Sequence, residues 1–442
     1  MLVRWMIVCL LVVSSAEAAE VPPQGVWQSA GYGYIVDVGE TVRRYDVSPA
    51  GCVRAESLSP AQFEAQGGRA VRDGGDVVLW RGATQDWLHR LDRLPDACVR
   101  PLRGSDPQLN LEVFVATLES LYPFFDQRGA RWPTALSQAR RQAPTDLSGA
   151  IGALIESLDD GHVGLFLDDQ SIEIDRVVAP GNAPDGTPWQ WRSLRRDLYA
   201  FLQSNDAGLQ APVESIANRR LMLGRFDDGT AYLGVLAMGG WGEGEDESQP
   251  AAAHAAKAEA VLDRVLASIA DAPGLVIDLR LNPGGYDAVA MALVARFTDR
   301  PRVAFTRQAQ RDAGPPYEVR IAPSERRVYA GRLAVLIGPN TVSAGEVAAI
   351  ALATLPQARL IGRPTRGTLS DAIPKRLPNG WAFTLSVETL RAPDGTLLEV
   401  HGVQPDQRVA PPTHSKHLWR GEIEVARQWL SLPDDTGTRA AS

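Results

Sequence analysis

Two buried-strand patterns, each followed by a turn and a helical pattern, constrain the fold of this chain most strongly. The first covers residues 274–280 and ends in an Asn-Pro-Gly-Gly turn at 282–285. The second covers residues 333–338 and leads through Ser343 into an alanine-rich helical pattern. Continuous apolar runs are typical of strands covered on both faces, and strand–helix repeats carry functional residues at strand ends. We therefore predict an α/β core over residues 223–412.

Ser343 occupies the expected junction between a strand and a helix. Backbone N–H groups at a helix N-terminus lack intrahelical partners and the helix dipole is positive there. A hydroxyl at this position suits a nucleophile whose reaction develops an oxyanion. Ser343 and Glu346 also have the spacing of a capping box, which explains the serine without any chemistry. The rest of the chain has to decide between these interpretations.

Residues 1–18 have the pattern of a secretory signal peptide. A basic start precedes a short apolar run and an Ala-x-Ala site, and the run is too short to span a bilayer comfortably. An uncleaved anchor is the alternative. We expect an exported protein without a membrane span after cleavage, in the periplasm or, as the alternative, outside the cell. The net charge of −8 argues against a nucleic-acid partner.

Two cysteines, Cys52 and Cys98, remain once Cys9 leaves with the signal peptide. An even cysteine count in an exported chain favours one disulfide, and two separate buried thiols are the alternative. A bond closing a loop of this length stabilises a domain by roughly 4 kcal/mol in the chain-entropy model.

Composition and periodicity divide the remainder of the chain into segments. Alternating Gly-, Val-, Trp- and Tyr-rich stretches predict a small antiparallel β domain, and helical spacing predicts a helical subdomain after it. A polar, Pro- and Gly-interrupted stretch reads as a connector, and residues 381–390 are expected to close the core sheet. The segments are the β domain 19–102, the helical subdomain 103–168, the connector 169–222 and a C-terminal helix and tail 413–442.

A serine nucleophile needs a base, an orienting acid and two oxyanion donors. His162 follows an Asp-Asp-Gly turn and is a candidate base, although a capped loop histidine is equally compatible with the pattern. Glu399 lies among apolar residues, where a carboxylate needs a partner, unless it is an edge-strand charge facing solvent. Glycines at the end of a strand let N–H groups approach a carbonyl closely. Candidate oxyanion donors are the N–H groups of Ala344 and of Gly284 or Gly285. The alternative is that the glycines only form a turn between a strand and a helix.

Taken in order, several segments resemble the tail-specific (C-terminal processing) serine peptidases, the family that includes tricorn protease cores and the interphotoreceptor retinoid-binding protein. The resemblance runs from about Asn110 to Val409. It implies a ClpP/crotonase-like spiral core with Ser343 as nucleophile. The segments that carry it are Phe114, Tyr122, Phe124-Phe125, Arg128-Gly129, Trp132, 158–162, 275–285, 342–346, 362–367, Glu399, Gly402-Val403 and Pro405-Asp406.

Departures from the family pattern distinguish its two catalytic styles. The Ser–Lys style places a lysine where this chain has Thr368 and a glutamine where it has Ala372, so that dyad is not expected. The tricorn-like style implies His162 as base and Glu399 as acid. The serine that accompanies the histidine in that style is replaced here by Gly161.

The sequence therefore predicts a serine endopeptidase that hydrolyses polypeptides through an acyl-enzyme, without a metal or other cofactor. An oligomer is compatible with the sequence. Members of the family also bind apolar ligands, so a non-catalytic peptide- or apolar-ligand-binding protein on the same fold is the main alternative. A Ser–Lys enzyme that uses Lys375, out of register with the family lysine, is a third hypothesis.

Overall fold

The computed structural model describes residues 18–19, 22–65, 68–73, 76–81, 84–167, 190–244, 249–411 and 419–433. Residues 1–17 of the predicted signal peptide, the first part of the connector and residues 434–442 of the tail lie outside these residues. In the part of the chain that is described, no helix is both long and apolar enough to cross a membrane.

The N-terminal region forms an antiparallel sheet of eight strands, as expected for a small β domain. Cys52 and Cys98 form a disulfide with a Cα–Cα distance of 5.0 Å, which confirms the predicted pairing. The bond joins the last strand of the sheet to a short helix. In spatial order the strands are Ala18–Ala19, Gly68–Asp73, Asp76–Arg81, Thr84–Leu91, Gly25–Ser29, Tyr34–Val38, Val42–Ser48 and Gly51–Leu58, with short helices Pro60–Ala65 and Asp96–Val99.

The helical subdomain packs directly on this sheet rather than forming a core of its own. Side chains such as Phe114 and Leu154 share one apolar cluster with Trp27 and Tyr34 of the β domain. Its first helix begins at Pro107 behind Asp106, whose carboxylate accepts a hydrogen bond from the Gln108 N–H as an N-cap. The helices are Pro107–Leu121, Phe125–Arg128, Trp132–Gln142 and Leu147–Leu158, with a 3₁₀ turn at Gly129–Arg131.

The core is a seven-stranded sheet that is covered by helices on both faces, as the continuous apolar patterns predict. The sheet starts two strands earlier than the predicted boundary at residue 223, because part of the connector pairs with it. The strands, in spatial order, are Glu214–Ile216, Leu221–Arg225, Ala231–Val235, Gly274–Asp278, Arg332–Ile337, Ala358–Gly362 and Gln407–Arg408, parallel from the third onward.

Of the helices in the described residues, three pack on one face of this sheet and two on the other. Ala251–Ser268, Asp287–Ala295 and Ala344–Ala353 bury their apolar side chains on the first face. Trp191–Leu202 and the C-terminal helix Arg420–Ser431 cover the second. The C-terminal helix is anchored by a buried ion pair between Arg280 and Glu422. The predicted C-terminal helix is therefore part of the core.

Residues 381–390 do not close the core sheet, so that prediction is wrong. The segment breaks at Val387 into two strands that belong to two separate three-stranded sheets. The two halves of the segment pair with different strands. A continuous apolar pattern indicates strand structure but does not show where the pairing partner changes. One sheet contains Tyr317–Ile321, Arg302–Ala309 and Glu388–Arg391, and the other contains Ala372–Arg376, Ala382–Ser386 and Gly164–Phe166.

The second of these small sheets fixes the position of His162. Gly164 and Pro374 both face Thr384 from opposite sides of the central strand. Two residues earlier on the parallel outer strands, His162 and Ala372 therefore lie at the same end of the sheet. This arrangement brings a turn from the helical subdomain beside the 365–371 loop of the core.

Candidate active site

Ser343 begins the helix Ala344–Ala353 with a backbone conformation that is rare outside glycine. Its φ is 52° and its ψ is −125°. Such a conformation costs on the order of 1–3 kcal/mol and persists only where the surroundings impose it. Ser343 is half-exposed, whereas the residues on either side of it are buried. The predicted capping box is present, because the Ser343 N–H donates to Glu346 Oε2 at 3.2 Å.

Asn282 joins the two strand–helix turns to each other. Its buried side chain donates to the Val235 carbonyl at 2.9 Å, and its own carbonyl accepts from the Val342 N–H at 2.9 Å. A Cβ on Gly345 would lie 2.9 Å from Asn282 Oδ1, so a glycine is required there for the turns to pack closely. The Asn-Pro-Gly-Gly turn is thus locked beside Ser343.

The two glycines predicted as oxyanion donors differ in their hydrogen bonding. The Gly284 N–H donates to Asn282 Oδ1 at 2.9 Å and is therefore occupied. Within the described residues, neither the Gly285 N–H nor the Ala344 N–H donates a hydrogen bond. Gly284 has a φ of 108°, and a Cβ on it would lie 2.7 Å from the Ser343 Cβ and 3.2 Å from the Ala344 N. Gly284 therefore keeps the space above Ser343 open.

Glu346 organises the loop that follows the strand Ala358–Gly362. Its carboxylate is fully buried and accepts hydrogen bonds from Thr365 Oγ1, the Gly367 N–H and the Thr368 N–H at 2.5, 2.7 and 2.9 Å, in addition to the Ser343 N–H. Burial raises the pKa of Glu346 to about 7, although each of these hydrogen bonds lowers it. Ser343 is also tied to the loop through its own N–H, which donates to the Thr368 carbonyl at 3.0 Å.

Glu399 comes from a later segment and is fully buried against the same loop, and in the described residues only one of its two oxygens is hydrogen-bonded. Oε2 accepts from the N–H groups of Leu369 and Ser370 at 2.8 and 3.2 Å. Oε1 has no hydrogen-bond partner in the described part of the chain, and the nearest cation, Arg128, lies 3.6 Å away. Burial, followed by the charge of Asp160, raises the pKa of Glu399 well above its usual range, while Arg128 acts in the opposite direction.

His162 is buried at the end of the small sheet, next to the same loop. Its backbone N–H donates to Asp160 Oδ1 at 2.8 Å, and Asp160 Oδ2 accepts from the hydroxyls of Tyr122 and Ser386 at 3.0 Å each. Burial lowers the pKa of His162, while the charges of Asp160 and Asp371 and a hydrogen bond to the Ser370 backbone raise it. The neutral imidazole, which is the form able to accept a proton, is therefore favoured.

The loop 365–371 lies beside all three predicted catalytic residues. The Thr368 carbonyl accepts from the Ser343 N–H, and the Ser370 N–H donates to Glu399. The Ser370 backbone also raises the pKa of His162. No hydrogen bond joins His162 to Glu399 in the described residues, and both His162 Nδ1 and Glu399 Oε1 are buried without a partner.

Positive φ occurs at Ser343 and at residues close in sequence to His162 and Glu399. Besides Ser343, Asp159 has a φ of 49° three residues before His162. Val400, which follows Glu399, has a φ of 71° and donates its N–H to the Gly367 carbonyl at 2.8 Å. Positive φ is a genuine outlier for a β-branched residue. Strain of this kind gathers at sites where geometry matters more than stability.

Lys375 is excluded as the base for Ser343. Its Nζ is buried and donates to the carbonyls of Tyr32 and Gly33 at 2.7 and 2.9 Å, and it pairs with Asp46. The lysine therefore fastens the β domain to the small sheet. The Ser–Lys hypothesis is wrong for this residue.

Two charged residues at the site were not predicted to act there. Arg128 donates to the carbonyls of Asp159 and Gly367, and so it links the His162 turn to the loop. Asp371 accepts from the buried Arg307 at 2.9 Å, and Arg307 also pairs with Asp287 and Glu388. Arg128 and Gly367 are 239 residues apart, so no local spacing could reveal this contact. Among the described residues, no group of three or more His, Cys, Asp or Glu side chains is placed to hold a metal.

Comparison with known proteins places this arrangement in a family context. Residues 230–409 match the family model described as peptidase family S41. The carboxy-terminal processing protease CtpA of Bacillus subtilis is 30% identical over 167 residues, which is 38% of this chain and 34% of that protein. The carboxy-terminal-processing protease of Bartonella bacilliformis is 28% identical over 148 residues, or 33% of this chain and 32% of that protein. The chain thus spans about a third of the length of these relatives.

A solved structure extends the likeness beyond the matched residues. The crystal structure of a putative peptidase from Parabacteroides merdae superposes with a TM-score of 0.56 at 21% identity, covering 77% of this chain and all of that chain. At this identity the likeness shows the fold, and that fold includes more of this chain than the residues matched by the family model. Residues 230–409, which contain Ser343, the Asn-Pro-Gly-Gly turn and Glu399, form a domain of peptidase family S41.

Proposed function

We propose that the protein is a serine endopeptidase in which Ser343 is the nucleophile, His162 the base and Glu399 the acid that orients the imidazole. The observation that carries the proposal is the loop 365–371. Its backbone is hydrogen-bonded to Ser343 and Glu399 and acts on the pKa of His162, although these residues come from three distant parts of the chain. The capping box alone would account for Ser343, but it would not account for a buried histidine and a buried carboxylate at the same loop.

The chemistry follows from the positions of the groups. Ser343 Oγ attacks a peptide carbonyl while His162 takes its proton, and the charge that develops on the carbonyl oxygen is stabilised by the N–H groups of Ala344 and Gly285. His162 then gives the proton to the leaving amine. Water hydrolyses the acyl-enzyme by the same steps in reverse order.

Glu399 completes the set when its free oxygen pairs with the free nitrogen of His162. Among the described residues both atoms are buried without partners. Catalytic hydrogen bonds are often long in a resting site and shorten when substrate binds. The positive charge that forms on His162 during the attack favours the ionised form of Glu399, which burial otherwise disfavours. The ion pair between protonated His162 and ionised Glu399 is thus stabilised during the attack of Ser343.

Hydrolysis of an unfolded protein by purified enzyme tests this proposal. We expect Ser343→Ala and His162→Ala each to lower kcat on the order of 10⁴-fold or more, and the double variant to be no worse than either single one, because the residues act as a unit. Multiplicative losses, or unchanged turnover in either single variant, would reject the assignment. Tight peptide binding without any turnover in the wild-type protein would favour the non-catalytic alternative.

We also propose that the protein is exported, most simply to the periplasm. The Cys52–Cys98 disulfide supports an oxidising compartment. Fractionation of cells that express the full chain should recover a form shortened at its N-terminus outside the cytoplasm, and recovery of the unshortened chain in the cytoplasm would contradict the proposal.

A further inference from the structure

A groove of about 1240 Å³ separates the N-terminal β domain from the strand pair of the core that contains Tyr317–Ile321. One wall is formed by residues 28–31 of the β domain together with Trp87, and the other by residues 311–320. At its floor the two parts touch, because a Cβ on Gly31 would lie 2.6 Å from the Ala309 Cβ and 2.8 Å from the Asp312 N. The groove therefore exists only where the β domain meets the core.

The inner end of the groove is connected to the candidate active site. Met291 lines the groove. It lies about one helical turn, or about 6 Å, after Asp287, the first residue of its helix. Asp287 itself comes two residues after Gly285. Asp287 pairs with Arg307, which faces Tyr317 in the strand register and also pairs with Asp371. Asp371 in turn acts on the pKa of His162. The inner end of the groove and the candidate active site are thus linked through this network of charged side chains.

The groove runs along the open edge of a sheet. Tyr317–Ile321 is the outermost strand of its three-stranded sheet, and within the described residues no strand pairs with its other side. Four consecutive residues of this strand, 317–320, line the groove. Because successive side chains of a strand point to opposite faces, a groove bordered by four in a row lies beside the edge rather than on one face.

The register shows which main-chain groups face the open edge. The Gln310 N–H donates to the Val387 carbonyl, so the main-chain groups of Gln310 face the strand Glu388–Arg391. These groups alternate in direction along an antiparallel strand, so those of Arg307 face Tyr317 on the other side. The N–H and carbonyl of the next residue, Glu318, therefore point away from the sheet. Exposed edge groups of this kind pair with an added strand.

We propose that this groove binds an extended segment of the polypeptide substrate as an additional strand along Tyr317–Ile321, at a distance from the scissile bond. The inference rests on the peptidase function proposed above. The fitting chemistry is an unfolded chain with apolar side chains, because the groove offers main-chain hydrogen bonds at its edge and Trp87, Met291, Pro315 and Pro316 along its walls. Its charged residues are two arginines and two carboxylates, which balance and favour neither acidic nor basic segments.

Glu318→Pro tests the proposal, with Glu318→Ala as the matched control. Proline removes the outward N–H and is tolerated at an edge position, whereas alanine removes only the side chain. The assay compares kcat/KM for reduced, carboxymethylated α-lactalbumin with kcat/KM for a short fluorogenic peptide that spans only the residues around the cut. We expect the ratio of the two to fall about three- to tenfold in Glu318→Pro, as for the loss of a hydrogen bond, and to stay unchanged in Glu318→Ala.

A binding measurement separates this inference from the peptidase proposal. In a Ser343→Ala background, fluorescence anisotropy of labelled carboxymethylated α-lactalbumin reports binding without cleavage. Weaker binding with the proline variant than with the alanine variant supports the groove, even if the wild-type protein cleaves neither substrate and the peptidase proposal fails. Equal binding by the two variants, or an equal loss of cleavage of the long and the short substrate, overturns the inference.

Discussion

Two buried glutamates, Glu346 and Glu399, hold the same loop from opposite ends, and they differ in how their oxygens are used. Both oxygens of Glu346 accept hydrogen bonds, from four donors in total. One oxygen of Glu399 accepts from two N–H groups, and the other is buried and has no hydrogen bond from any residue that the structure describes. A buried polar atom without a partner costs free energy, so its presence indicates a use other than stability.

The difference separates a positioning residue from a catalytic one. Glu346 shapes the loop and the turn at Ser343, and every donor around it is satisfied. Glu399 keeps one oxygen available, and its neighbour Val400 has a strained backbone. On this account, replacing Glu399 should affect activity far more than stability, and replacing Glu346 should do the reverse.

The largest expected effect is on the activity of Glu399→Gln. The amide keeps an oxygen for the Leu369 and Ser370 N–H groups but cannot stabilise a protonated His162. We expect kcat to fall on the order of 10⁴-fold, as for loss of the orienting acid in other triads, while thermal unfolding shows a Tm equal to or above that of the wild-type protein, because a buried ionisable group has been removed. If Glu399→Gln unfolds at a much lower temperature than the wild-type protein and retains its kcat, Glu399 is a structural residue and the contrast with Glu346 is wrong.

A smaller effect is expected from Arg128→Met, which removes the cation next to Glu399. Loss of this positive charge raises the pKa of Glu399 further, so its ionised fraction at neutral pH falls. We expect activity to decline at pH 7 and to recover as the pH rises, with the rising limb of the pH–rate profile moved to higher pH. Arg128→Lys keeps a charge and should move that limb less. A uniform loss at every pH in both variants would indicate only a structural role.

The smallest effect on turnover is expected from Glu346→Gln, whose consequence is for stability. If Oε1 becomes the amide nitrogen, Thr365 Oγ1 and the Gly367 N–H lose their acceptor. If Oε2 does, the Thr368 N–H loses its acceptor, whereas the Ser343 N–H keeps the Thr368 carbonyl. Each unpaired buried donor costs about 1–3 kcal/mol. At a temperature where the variant is folded, we expect kcat to fall far less than in Glu399→Gln. Denaturant unfolding of both proteins across the pH range measures the difference in stability.

The pH dependence of that difference has a definite sign. The folded pKa of Glu346, about 7, lies above the ordinary value of 4.5, so the folded protein binds more protons than the unfolded chain between these values. The contribution of Glu346 to stability is therefore full in acid and declines as the pH rises through about 7, by on the order of 3 kcal/mol. The gap between wild type and Glu346→Gln should narrow over this range. A gap that widens with pH would contradict the raised pKa.

Local patterns were sufficient to predict the parts of the fold whose neighbours are close in sequence. The strand–helix turn at Ser343, the Asn-Pro-Gly-Gly turn and the covered parallel sheet follow from apolar runs and turn residues. The disulfide followed from the cysteine count. The break at Val387 was missed because a continuous apolar pattern does not show which strand pairs with which.

Contacts between distant segments could not be predicted in the same way. The sequence pointed to Glu346 as a helix-capping residue, yet three of its four donors come from a loop about 20 residues away. Lys375 looked available to Ser343 from its position along the chain, but it is bonded to a turn 342 residues earlier. The partner of each buried charged side chain depends on tertiary packing. Only the positions of the neighbouring residues in the structure show which partner that is.

The central claim is that Ser343 is a nucleophile activated by His162. Reaction with diisopropyl fluorophosphate, followed by intact mass and peptide mapping, tests it most directly. We predict one adduct on the peptide that contains Ser343, none in Ser343→Ala, and much slower labelling in His162→Ala. An adduct that persists in Ser343→Ala, or labelling of His162→Ala at the wild-type rate, would contradict the account.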